Sequence, residues 1–192
     1  MEMHKDVPVY LFTTPKEFET WLEKNNQEVK AVWLKIAKKN TGAVSVSYDE
    51  ALEVALCYGW IDGLVNKYDE KYYVQRFTPR GPRSIWSKIN RDHIARLIKE
   101  KRMRPAGLAA MEVAKKNGQW EAAYDSPKDM QVPEDFLKAV AKDKSAAAFY
   151  KTLTRANTYA IAWRLATAKK PETRANRFKL LMEMLKKGQK LH

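Results

Sequence analysis

Trp60-Ile61-Asp62-Gly63-Leu64-Val65-Asn66, the polar run Lys67-Tyr68-Asp69-Glu70, and Lys71-Tyr72-Tyr73-Val74-Gln75-Arg76-Phe77-Thr78 read as two strands of an antiparallel hairpin and the turn between them. Immediately upstream, Ser47-Tyr48-Asp49-Glu50 has the spacing of a capping box. It opens a helix through Leu52, Ala55, Leu56 and Cys57 that Gly59 stops. Further back, Val32-Trp33-Leu34-Lys35-Ile36-Ala37 is short, β-branched and aromatic. It ends at the turn signal Asn40-Thr41-Gly42, which predicts a strand with Val44-Ser45-Val46 as a short partner. Thr14-Pro15-Lys16-Glu17 is another helix start, and Phe18, Trp21 and Leu22 give its helix, about 15–24, one apolar face.

Downstream of the hairpin the pattern changes. Pro79-Arg80-Gly81-Pro82-Arg83-Ser84 cannot be helix or central strand, because two prolines remove donors and fix φ. It is a loop rich in guanidinium groups. A helix then runs from about 85 or 90 to Arg102 with Ile94, Leu97 and Ile98 inward. Pro105 breaks it, and a further helix through Leu108, Met111 and Val113 ends at Gly118. Residues 119–132 form a long connection with Trp120 and Tyr124 as anchors. From Pro133 onward only helical patterns occur, about 133–142, 145–153, 155–169 and 171–187. Ser145 and Thr154 are expected as N-caps, Pro171 as a helix start and Gly188 as a stop. The expected fold is α+β: a small antiparallel sheet with packed helices, followed by an all-helical C-terminal part. The expected division is 1–118, a connection 119–132, and a helical subdomain 133–192.

The chain has 192 residues, 45% of them hydrophobic, with six Trp, nine Tyr and six Phe, so it can bury a core. A single cysteine excludes an intrachain disulfide framework. No 18 apolar residues run together, which excludes a membrane-spanning helix, and the opening Met1–Phe12 lacks a basic-then-apolar leader. A cytoplasmic location is expected.

The net charge of +13 is unevenly placed. Residues 71–104 hold eleven Lys/Arg against Asp92 and Glu100. Residues 145–192 hold eleven against Glu172 and Glu183. Each stretch is +9 and the remaining 110 residues are −5. Such local excess attracts polyanions, acidic partners or phosphorylated ligands.

Several motifs resemble the YdeI/OmpD-associated family of bacterial proteins, also called bacteriocin-protection proteins. They are Leu56-Cys57-Tyr58-Gly59-Trp60-Ile61-Asp62-Gly63, Arg76-Phe77-Thr78-Pro79-Arg80 and Pro82-Arg83-Ser84-Ile85-Trp86-Ser87-Lys88-Ile89-Asn90, followed by Gly107-Leu108-Ala109-Ala110, Trp120-Glu121-Ala122-Ala123-Tyr124-Asp125 and Ala168-Lys169-Lys170-Pro171-Glu172-Thr173-Arg174. The resemblance runs from about Phe18 to the end. It implies a part in tolerance to bacteriocins or antimicrobial peptides and brings no agreed catalytic reaction. One departure is local: Lys101-Arg102-Met103-Arg104 stands where the family pattern has a glycine before the Arg-Met pair.

The leading candidate site is a basic, Trp-containing surface of Trp60, Asp62, Arg76, Arg80, Arg83, Trp86 and Lys88. Guanidinium forks bind carboxylate or phosphate bidentately, Trp86 offers a face for stacking, and a helix starting just beyond the loop would add anion affinity. The competing structural reading pairs these arginines with acidic residues and places Trp86 in the core. Asp62, between two glycines, could orient an arginine or act as an acid or base. Arg155, Arg164, Arg174 and Arg177 form a secondary basic surface, most simply a solvated helical face.

Cys57 is expected to be a buried, inert thiol and His93 to face solvent, while His4 and His192 are terminal. A Ser/Cys–His pair would have to use Cys57 or an unmarked serine with His93. No histidine–carboxylate spacing suggests a metal, and no nucleophile elbow, phosphate-binding loop or dinucleotide fingerprint suggests a cofactor. The expectation is a non-enzymatic protein that binds an anionic small molecule or acidic partner. The alternatives are a nucleic-acid-binding protein, or an enzyme using Asp62 with arginines on a phosphorylated or carboxylated substrate. A protein of charge +13 should repel cationic peptides rather than capture them directly.

Overall fold

Ser47 ends an extended segment and accepts the Glu50 N–H, while Glu50 reaches back to the Ser47 N–H, so the capping box forms as the spacing requires. The helix it opens, Tyr48–Cys57, buries Ala51, Leu52, Val54, Ala55, Leu56 and Cys57, more than one face. A helix apolar nearly all round belongs inside a layer of other elements.

Those elements are seen in a computed structural model that describes residues 2–126 and 128–191. The chain forms two compact units, Met1–Ala123 and Tyr124–His192. The first holds strands β1 (Met3–His4), β2 (Val7–Tyr10), β3 (Val32–Ala37), β4 (Trp60–Lys67) and β5 (Tyr72–Pro79). Its helices are α1 (Pro15–Asn25), α2 (Tyr48–Cys57), α3 (Lys88–Lys99) and α4 (Pro105–Lys116). The second holds α5 (Glu134–Lys142), α6 (Lys144–Tyr150), α7 (Arg155–Ala166) and α8 (Pro171–Lys186). The class is α+β, as expected.

The sheet order is β1-β2-β3-β5-β4. Three pairings are antiparallel, including the expected β4–β5 hairpin. The β2–β3 pair is parallel, with α1 as its crossover, so the sheet is mixed rather than purely antiparallel. β5 pairs with the whole of β3 on one flank and β2 with Trp33 and Leu34 on the other, and Val44–Val46 is not the strand partner expected. That segment is instead pinned singly: Ser45 Oγ accepts the Ala37 N–H at 2.8 Å and the Val46 N–H donates to Phe12 O at 2.8 Å.

In β4 a bulge lies between Asp62 and Val65, and the buried Gln75 amide donates to Gly63 O at 3.1 Å and Leu64 O at 3.3 Å. One sheet face, through Leu34, Ile36 and Phe77, joins Phe18, Leu22, Leu56, Trp60 and Leu97 in the main core. The other carries a small cluster of Val9, Trp33 and Val74.

α2 packs against α1, α3, α4 and β4. Its C-terminus meets the start of α4 at very short range: the Arg104 N–H donates to Cys57 O at 3.0 Å. A Cβ on Gly107 would lie 2.3 Å from that same oxygen, and one on Gly59, at φ +74°, would lie 2.8 Å from Ala106 O. Both glycines stand in the motifs quoted above, one on each side of the contact between α2 and α4.

α3 ends in a Schellman arrangement, with Arg102 N–H to Leu97 O and Lys101 N–H to Ile98 O, both 3.0 Å. Lys101 occupies its left-handed position at φ +57°. A glycine in this place is the conformationally free choice, and the lysine adopts the same turn under strain.

In the second unit, Phe136, Val140, Ile161, Leu165, Leu181 and Leu185 form the core, and Phe136 meets Phe178 edge-on at 4.9 Å. Thr154 caps α7 as expected. α6 is capped by Asp143, which accepts the Ala146 N–H at 3.0 Å, so Ser145 lies inside the helix rather than at its cap. Trp120 packs on Trp86 at 4.9 Å in the first unit, and Tyr124 on Trp163 at 6.3 Å in the second. No helix among the described residues is long and apolar enough to cross a membrane.

Two substitutions check this arrangement by chemical denaturation. Gly107→Ala should cost about 1–3 kcal/mol because backbone, not a pliable side chain, opposes the new methyl group, whereas Gly81→Ala, with its nearest neighbour 3.9 Å away, should change little. Lys101→Gly should stabilise by about 0.5–1 kcal/mol through relief of the left-handed strain.

Candidate functional site

β5 delivers the chain into the arginine-rich loop at Pro79. The Arg80 N–H donates to Gly59 O at 2.8 Å, which ties the loop to the α2–β4 junction. Gly81–Ser84 closes as a tight turn through Ser84 N–H to Gly81 O at 2.9 Å and Gly81 N–H to Ser84 Oγ at 3.0 Å. Asn117 Nδ2 holds Pro82 O at 2.5 Å. The loop is therefore built into the fold, and α3 starts just beyond it with Ser87 as cap, accepting the Asn90 N–H at 3.1 Å.

The tryptophans are not ligand platforms. Trp86 is 2% exposed, with the Arg80 guanidinium 3.6 Å over its ring and Trp120 against its edge. Trp60 is 1% exposed and packs on Trp21 at 6.1 Å. Their large apolar area is worth more inside than as an exposed face, which corrects the expected stacking role. Arg83 and Lys88 are exposed, and Arg80 donates from Nη1 to Ile85 O at 3.1 Å. The cleft among Arg80, Gly81, Pro82 and Trp86 has about 150 Å³, room for a few water molecules.

The remaining members are divided by the sheet. Asp62 lies opposite Phe77 and so faces the helices, while Arg76 lies opposite Trp33 on the other face. Among the described residues Arg76 Nε is buried without a hydrogen-bond partner, as is Trp33 Nε1. Asp62 Oδ2 accepts from the Tyr48 hydroxyl at 2.9 Å and is not paired with an arginine of the loop.

Much of the positive charge is matched locally. Glu53 of α2 receives Arg96 and, at 2.7 Å, Arg102, and both arginines also reach Glu100 at 3.0 and 3.2 Å. Glu19 of α1 receives Arg104 at 2.6 Å and Lys16 at 2.9 Å. Burial alone would raise the Glu53 pKa, but hydrogen bonds from Arg102 and Arg96 hold it below the usual value. In the second unit Arg174 pairs with Asp135 at 2.9 Å, and Arg177 donates to Arg164 O at 2.7 Å at the end of α7. Arg155 donates to Lys128 O at 2.6 Å. Those three guanidinium groups are doing structural work.

Cys57 is buried, and burial pushes its thiol up to about 11, so it stays protonated at neutral pH. His93 is half-buried with Nδ1 shielded, rather than solvent-facing. His192 lies outside the described residues. Among those residues no three His, Cys, Asp or Glu side chains converge as a metal site would require.

The roomier concavity lies where the sequence pattern suggested a strand. β3 stops at Ala37. The chain then turns through Asn40 and Gly42, both at positive φ, and re-enters as α2 at Tyr48. Because this segment does not pair with β3, it leaves a cleft of about 650 Å³ open. The cross-strand partners Ile36 and Tyr73 form part of its lining, with Tyr48, Val44, Lys38 and Lys39 around them.

Val44 is 64% exposed at this cleft. Lys38 Nζ donates to Asp69 O at 2.6 Å and Lys39 is exposed. Ser45 and Ser47 spend their hydroxyls on Val46 O and Glu50. Burial and then the Asp62 charge raise the Tyr48 pKa well above its ordinary value. Burial and then Asp49 raise that of Tyr73. The one sequence signal for this place was the Asn40-Thr41-Gly42 turn running into the Ser47 cap.

Residues 10–110 match a family model described as Domain of unknown function (DUF8412). Residues 129–188 match one described as Bacteriocin-protection, YdeI or OmpD-Associated. The second is the family that the motifs resemble; its match lies in the helical unit and includes Ala168–Arg174 alone of the quoted motifs, rather than running from Phe18 to the end. No curated protein and no solved structure matches the chain.

The Glu53 network has a definite pH signature. Its folded pKa lies below the unfolded value near 4.5, so its contribution is present above that value and is lost as pH falls through the folded pKa. Glu53→Gln should cost about 1 kcal/mol at pH 7, discounted for the partly exposed arginines. In urea melts from pH 7 to pH 3 the gap between the two proteins should close below about pH 4.5.

Proposed function

Because the chain belongs to the DUF8412 family through residues 10–110 and matches the bacteriocin-protection family over 129–188, we propose that it is a cytoplasmic, non-enzymatic binding protein serving antimicrobial stress, with a small amphipathic organic anion as its ligand. The observation that carries this reading is the cleft beside α2. It combines about 650 Å³ of space, an apolar lining and two lysines. Pockets of this size with few polar groups suit small molecules that place one charged group and bury the rest. Lys39 is free to meet a carboxylate or phosphate, and Lys38 retains further N–H donors beyond its bond to Asp69 O. Tyr73 brings a phenol protonated at neutral pH, a hydrogen-bond donor for the same ligand.

Binding rather than catalysis is favoured by the chemistry of the lining. The serine hydroxyls are committed to the backbone and to Glu50, and the Tyr48 proton is held toward Asp62 with the phenol pKa raised. A small anion is favoured over nucleic acid because Arg96, Arg102, Arg104 and Arg174 are already paired with carboxylates.

Calorimetric titration with octanoate tests the reading. Saturable binding is expected, weakened about three- to tenfold in Lys39→Ala, the size of one exposed charge contact, and abolished when Val44→Trp fills the cleft. Absence of binding, or binding indifferent to both substitutions, would overturn it.

A further inference from the structure

A second concavity, of about 480 Å³, runs along α1. Glu17, Thr20, Trp21 and Lys24 line it from one helical face, at the i, i+3, i+4, i+7 spacing. Phe12, on the segment between β2 and α1, completes its apolar wall. Trp21 is half-buried. Its ring is tilted against Tyr10 at 5.1 Å and Phe12 at 6.3 Å, and it meets Trp60 edge-on at 6.1 Å. Those contacts hold the indole in place while part of it faces the concavity. A fixed aromatic surface favours a planar ring, which stacks on it in an offset or edge-on arrangement. A flexible chain gains no such stacking and loses its own rotamer freedom on binding.

Most polar groups of this lining are already committed. The Thr20 hydroxyl donates to Lys16 O at 2.9 Å, and Lys16 pairs with Glu19 at 2.9 Å. Glu17 accepts the Thr13 N–H at 2.7 Å and the Thr13 hydroxyl at 2.8 Å. Lys24 is the exception: it is exposed, and its ammonium has no partner among the described residues. It stands in the last turn of α1, where open carbonyls would repel an anion. Two of them are answered, because the Asn25 and Asn26 amides donate to Trp21 O and Leu22 O, both at 2.7 Å. From Glu17 to Lys24 the helix rises about 10 Å. The lining therefore carries a carboxylate at one end and an unpaired ammonium at the other.

We propose that this concavity binds a planar aromatic acid with one carboxylate, its ring laid on Trp21 beside Phe12 and its carboxylate against the Lys24 ammonium. A second acidic group toward the start of α1 would meet the Glu17 carboxylate, so the ligand carries its charge at one end only. The site is separate from the cleft beside α2 and does not depend on the reading of that cleft.

Three probes test it: 2-naphthoate, its uncharged counterpart 2-naphthalenemethanol, and octanoate, each titrated into the full chain and followed by amide and indole N–H chemical shifts. 2-Naphthoate is expected to move residues 12–25 and the Trp21 indole saturably. It should bind about three- to fivefold more tightly than the alcohol, the size of one exposed charge contact. Octanoate should leave residues 12–25 unmoved. Lys24→Gln should remove the preference for acid over alcohol, and Thr20→Trp should fill the concavity and abolish the 2-naphthoate shifts there; both positions are exposed and tolerate the change. Unmoved residues 12–25, an acid preference that survives Lys24→Gln, or octanoate binding there as tightly as 2-naphthoate would overturn the proposal. Shifts with 2-naphthoate confined to residues 36–48 would also overturn it, and would leave the reading of the cleft beside α2 standing.

Discussion

Everything in the first unit depends on how closely α4 can approach the end of α2. The gap between Cys57 O and Gly107 leaves no room for a methyl group, and Gly59 faces Ala106 O under the same restriction. That approach lets the Arg104 N–H answer the Cys57 carbonyl, one of the acceptors a helix end leaves open. It also fixes where Gly59 turns the chain into β4, and Gly59 O in turn anchors the arginine loop through the Arg80 N–H. Two glycines far apart in the chain thus set the positions of a helix pair, a strand start and a loop. Overpacking of this kind is costly in protein interiors because neighbours have nowhere to go.

The same placement explains why so much of the charge of the basic stretch is already paired. α3 and the turn after it carry Arg96, Arg102 and Arg104 alongside α2 and α1, where Glu53 and Glu19 receive them. Arg80 is laid over Trp86, and Trp86 is enclosed. Charge concentrated in sequence is dispersed in space into local pairs. The charges that line the cleft come instead from Lys38 and Lys39, directly after β3.

Local rules were legible wherever one chemistry had one outcome. The Ser47–Glu50 box, proline at the first turns of α1 and α8, and the left-handed Gly59, Gly118 and Gly188 all stand where their spacing placed them. β1 and β2 were not legible. Their turn is Lys5-Asp6, two non-glycine residues at positive φ, and Pro8 argues against a strand that in fact pairs with β3 only through Val9 and Tyr10. Val44–Val46 alternates like a strand, yet it meets the end of β3 through a side chain, Ser45 Oγ accepting the Ala37 N–H, rather than through a backbone ladder. The tryptophans of the expected site are core residues because burial is decided by which elements close over them, something spacing does not encode. The cleft escaped notice for the same reason: its lining comes from residues 36–48 folded back on themselves and from Tyr73, brought beside them by its pairing with Ile36.

The central claim is that ligand chemistry resides in the cleft beside α2 and not in the arginine loop. Amide chemical-shift mapping during an octanoate titration tests it most directly. The account predicts saturable shifts confined to residues 36–48 and 72–74. Shifts centred on residues 80–88, with residues 36–48 unmoved, would contradict it.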